Sequence, residues 1–90
     1  MKTLEELKKQ KADNIDLIGS MLKEKSSGKL YEVLSLVILP QGEAIAITNL
    51  VDQYDAESDN FLYAVIKIGN MAGKVKVDSL DDRFEVLKKL

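Results

Sequence analysis

Residues Leu30-Tyr-Glu-Val-Leu-Ser-Leu-Val-Ile-Leu39 decide the fold. Branched side chains are dense here and both alternating sets are apolar, the pattern of a strand covered on both faces. Such a strand belongs in the centre of a sheet. Pro40-Gln-Gly42 follows as a turn, because proline presets the first turn angle and glycine accepts the positive φ after it. Glu43 to Val51 then returns as a second strand and makes a hairpin with the first. In it Ile45 and Ile47 face one side, while Ala44, Ala46 and Thr48 face the other and leave room for a helix or a second subunit.

Towards the carboxyl end, Asp52 to Asn60 (DQYDAESDN) is polar and acidic with no basic residue, and reads as an exposed loop. Phe61 to Ile68 is a third strand. Gly69 to Gly73 makes a glycine-bounded turn, and Lys74 to Asp78 alternates charge with valine, which suits an edge strand whose lysines oppose sheet-to-sheet aggregation. Ser79 with Asp82 resembles a capping box, and Leu80, Phe84, Leu87 and Leu90 line one face of a terminal helix.

Towards the amino end, Thr3 and Glu6 form a capping box that starts a helix. Apolar residues recur at Leu4, Leu7, Ile15, Ile18 and Leu22, with Lys11 in a slot where the stripe expects a core residue. Asp13 and Asn14 beside it are able to end one helix and cap another, so residues 3 to 25 read as one bent helix or two. Ser26-Ser27-Gly28 ends the helix. The order is α-β-β-β-β-α, an α+β fold with a mostly antiparallel sheet packed by an amino-terminal and a carboxyl-terminal helix. Ninety residues make one domain, since halves of that size would each lack a core.

Charge and composition narrow the function. The chain has 13 basic and 15 acidic residues, for a net charge of −2. Residues 1 to 30 sum to +2 and residues 31 to 90 to −4, so no global basic field draws in nucleic acid. Cys, His and Trp are absent. Folding therefore depends on no disulfide, which fits a cytoplasmic setting, and neither a signal-peptide core nor a membrane span is present in the sequence. Serines have no imidazole to activate them, and Asp81 and Asp82 stand together at a helix start, where they serve the dipole. With neither nucleophile nor general base to name, the chain reads as a non-enzyme without cofactor.

Two residue sets remain as binding candidates. The first is the acidic loop: Asp52, Tyr54, Asp55, Glu57 and Asp59. Asp55, Glu57 and Asp59 mimic the start of a calcium loop, but the sixth position is Asn60 instead of Gly and the twelfth is Ile66 instead of Glu, so no metal is expected. The loop suits a larger protein partner, with charge steering the encounter and Tyr54 contributing buried area. The second set is Lys67, Lys74 and Lys76 beside Phe61 and Tyr63, an alternative surface for a nucleotide or nucleic acid, although three lysines neutralise few phosphates. Gly69 to Lys74 (GNMAGK) lacks the spacing and the following helix of a phosphate loop. The resulting expectation is a cytoplasmic protein-interaction module, such as a small inhibitor, immunity or accessory protein of bacterial or phage type. Homodimerisation over the Ala44 and Ala46 face is expected as well.

Overall fold

A computed structural model describes residues 2–41 and 50–87. The elements run α1 (Leu4–Asp13), a 3-10 turn at Ile15–Leu17, β1 (Met21–Glu24), β2 (Leu30–Pro40), β3 (Asn60–Ile68), β4 (Met71–Lys76), a 3-10 turn at Val77–Ser79, α2 (Leu80–Arg83) and β5 (Phe84–Leu87). The strands form one antiparallel sheet in the order β4-β3-β2-β1-β5, so the fold is α+β with β2 at its centre. A bulge at Leu34 shifts the β2–β3 register between Val33 and Ser35.

As its sequence implies, β2 is buried on both sides. One face holds Val33, Leu36 and Ile38 with Leu62, Ala64 and Ile66 of β3, closed by Leu7 of α1, Leu80 of α2 and Phe84. The other holds Val37 and Leu39 with Tyr63 and Val65. The Thr3 capping box is formed: the Glu6 N–H donates to the Thr3 hydroxyl, and the Thr3 N–H donates to the Glu6 carboxylate, each over 3.2 Å. The Thr3 N–H, most strongly, and the Thr3 hydroxyl at 3.1 Å both donate to the Glu6 carboxylate and hold its pKa below the ordinary value.

Three expectations are corrected. The first helix ends at Asp13, and residues 21–24, expected to be helical, form β1. The ladder explains this outcome, because β1 pairs with both β2 and β5, and four residues of helix would forgo both sets of bonds. Gly19 makes the change of direction at φ 86°, and its N–H donates to the Val33 carbonyl at 2.8 Å. Gly28 does adopt a left-handed φ of 74°, but after a single helical turn inside the β1–β2 hairpin, closed by the Gly28 N–H to the Glu24 carbonyl at 2.8 Å. Gly19→Ala is expected to destabilise the protein by about 1 to 2 kcal/mol, the strain of a Cβ at left-handed φ. In a continuous helix the same change would stabilise by up to about 1 kcal/mol, so the sign of the shift in a denaturation curve separates the two conformations.

The second correction is the terminal helix, which lasts four residues before the chain extends into β5. Ser79 makes no side-chain capping bond, and its hydroxyl instead approaches the Lys76 carbonyl at 3.5 Å. The third is the β3–β4 turn, which needs only Gly69 and Asn70, since Ile68 pairs with Met71. Gly69 at φ 59° supplies the positive φ that a two-residue hairpin of type II′ requires at its first position. The expected strand from Glu43 to Val51, with its small face at Ala44, Ala46 and Thr48, lies almost wholly outside the described residues; Leu50 and Val51 are irregular. No described helix is long and apolar enough to cross a membrane.

Candidate interaction surfaces

The acidic loop divides into an internal and an external part. Asp52 is half-buried, and its Oδ1 accepts the Ile38 backbone N–H at 2.9 Å and the Lys11 Nζ at 3.0 Å. This carboxylate caps an open stretch of the central strand and ties it to α1. The Gln53 N–H reinforces the contact by donating to the Ile38 carbonyl at 3.0 Å. Lys11, the residue that interrupts the apolar stripe of α1, stands there because its ammonium meets Asp52. The interrupted stripe is the one trace of this contact in the sequence, and it does not name the partner.

From Tyr54 onward the loop is exposed. Asp55 and Asn60 fix its shape. The Asp55 carboxylate accepts the Glu57 N–H at 2.9 Å, while the Asn60 amide donates to the Asp55 and Ser58 carbonyls at 2.9 and 3.0 Å and accepts the Asp55 N–H at 3.1 Å. Tyr54 is 48% exposed, with the Lys8 ammonium 5.8 Å from its ring centre. A cleft of about 300 Å³ lies between the loop and the start of α1, lined by Leu4, Leu7, Tyr54, Ala56 and Ser58. Glu57 and Asp59 project beside it as exposed carboxylates.

The lysine and aromatic residues do share one face. Tyr63 pairs with Lys76, Val65 with Lys74 and Lys67 with Ala72, and directly paired residues project to the same side. The Lys76 ammonium stands 3.9 Å over the Phe61 ring, and Lys74 stands 4.6 Å over Tyr63. These contacts set one of the protein's own cations over each ring. Tyr63 is buried and its hydroxyl pKa is raised by that burial, so it offers no platform on which a base can stack.

Other features were not anticipated from the sequence. Asp78 accepts from the Gln10 amide at 2.7 Å and the Lys2 ammonium at 3.1 Å, joining α1 to the turn after β4. These two bonds, the Gln10 one first, hold its carboxyl pKa below the ordinary value. A cleft of about 740 Å³ lies where the first 3-10 turn meets β5, lined by Asp13, Ile15, Asp16, Ile18 and Val86. Among the described residues no three acidic side chains stand close enough to hold a metal ion. No protein-family model matches the chain, and neither does any curated protein or solved structure compared with it.

Proposed function

We propose that this chain is a non-enzymatic, cytoplasmic interaction module that binds a larger protein, as a small inhibitor, immunity or accessory protein of bacterial or phage type does. The contact is the loop from Tyr54 to Asp59. One observation carries the reading: the Asp55–Asn60 hydrogen bonds fix the loop backbone while Tyr54, Glu57 and Asp59 stay outside it, exposed. A preorganised loop loses little conformational freedom on docking, and its carboxylates steer a basic surface towards the tyrosine. The partner is therefore a protein with a basic patch beside an apolar pocket.

A photo-crosslinking residue at Ala56 identifies the partner, and association kinetics then test the contact. Replacing Glu57 and Asp59 with Gln and Asn, with Asp55 left to hold the loop backbone, should slow association by about threefold or more at low salt, with stability changed by under about 0.5 kcal/mol. An unchanged association rate to the captured partner would sink the loop as the contact. The row of Lys67, Lys74 and Lys76 favours a second reading, an anionic ligand such as a nucleotide or nucleic acid. Binding that collapses steeply with added salt and survives the loop substitutions would point there instead.

A further inference from the structure

The cleft of about 740 Å³ opens where α1 ends, at the opposite end of that helix from Tyr54 and its loop. Its floor is apolar, made by Ile15, Leu17, Ile18 and Val86. Leu17 and Val86 pack on the core cluster, whereas Ile15 is 50% and Ile18 37% exposed. The volume falls in the range of a small-molecule site, roughly 300 to 1,000 Å³. Its polar lining is one-sided. Asp13 and Asp16 are exposed carboxylates, and no ion pair among the described residues includes either. Lys11, the base in the last turn of α1, is committed to Asp52 at 3.0 Å. The Asn14 amide and the Ser20 hydroxyl donate to the protein's own carbonyls, of Gln10 at 2.8 Å and Asp16 at 3.0 Å, so the side chains leave mainly acceptors for a ligand. Asp13 is also the last residue of α1, where the helix carbonyls already concentrate negative potential and a carboxylate is unfavourable. A cation arriving there relieves that repulsion.

We propose that this cleft binds a small organic ammonium ion, its apolar body on Ile15, Ile18 and Val86 and its charged nitrogen at the Asp13 and Asp16 carboxylates. Both parts of the ligand are needed. An exposed ion pair contributes little by itself, and burial of an aromatic ring or a short alkyl chain supplies the remainder. A bare metal ion does not fit, since among the described residues no three acidic side chains gather to hold one. The site is independent of the loop contact proposed above.

The probe is 2-phenylethylammonium, with 2-phenylethanol as its neutral match and methylammonium as the charge without the body. Titrated into the purified protein at low salt and followed by proton–nitrogen correlation spectra, 2-phenylethylammonium should saturably shift the backbone amides of residues 13–20 and 86, with a dissociation constant of about 1 mM. The alcohol and methylammonium should each bind about tenfold more weakly. Asp13→Asn combined with Asp16→Asn should weaken the ammonium ion about tenfold and leave the alcohol unchanged, whereas Ile15→Ser should weaken both. All three positions are exposed, so the variants should keep the dispersed spectrum of the folded chain. Equal binding of alcohol and ammonium ion, binding indifferent to the carboxylate substitutions, or no saturable shift at residues 13–20 by about 20 mM probe overturns the proposal.

Discussion

Phe84→Ala is expected to remove about 3 to 5 kcal/mol of stability, a large part of the roughly 5 to 15 kcal/mol that holds a domain of this kind together. Phe84 is among the largest fully buried side chains and packs in the cluster of Leu22, Leu36 and Leu80. Tyr31 meets it edge-on at 6.1 Å and 84°, and the Arg83 guanidinium lies 5.4 Å from its ring centre. Truncation leaves a cavity that β1, β2 and α2 cannot jointly collapse to fill. A neighbouring pair of substitutions reads the local conformation. A terminal helix would bury Leu87 with Leu80 and Phe84, whereas β5 turns Val86 to the core side and leaves Leu87 37% exposed. Chemical denaturation should therefore show Val86→Ala costing more than Leu87→Ala. The reverse order would return residues 84–87 to a helix.

Asp52→Ala is expected to lower stability by about 1.5 to 3 kcal/mol, because one carboxylate serves two donors and the Ile38 N–H belongs to a fully buried residue. Asp52→Asn should lose less, since an amide oxygen still accepts from Ile38. A double-mutant cycle between Asp52 and Lys11 isolates the ion pair, and a coupling near zero would assign the whole effect to the backbone bond. The contrast with the exposed acids is the informative part. Glu57 and Asp59 should matter for association, whereas Asp52 should matter for folding.

The long elements were legible because their patterns are local. β2 and β3 are runs of branched and aromatic residues longer than any turn, and the Thr3–Glu6 capping box spans one helical turn. The short strands β1 and β5 were not. Leu17, Ile18, Met21 and Leu22 satisfy a helical spacing, as do Leu80, Phe84 and Leu87, and four-residue strands carry too few alternations to outweigh it. β5 is a strand because β1 is there to pair with it, through Glu24 and Phe84 sixty residues apart, and β1 is held in turn by β2. The lysine–aromatic face was legible for the opposite reason, since period two along β3 and β4 places its members together. The two roles of the acidic loop were not separable in sequence, because the N–H that claims Asp52 belongs to a residue fourteen positions earlier.

The wide separation of β1 from β5 bears on how the protein is made. A ribosome releases β1 and β2 early, and their hairpin closes over the short loop between Glu24 and Lys29, whose backbones are bonded to each other. Until residue 87 has emerged, β1 is a bare edge, open to any extended segment nearby, including the same hairpin on an adjacent nascent chain. Lys23 and Glu24 place charge along that edge during the interval. Final closure of the sheet waits for synthesis to reach β5, so translation speed through the last third of the sequence sets how long the unfinished sheet stays exposed.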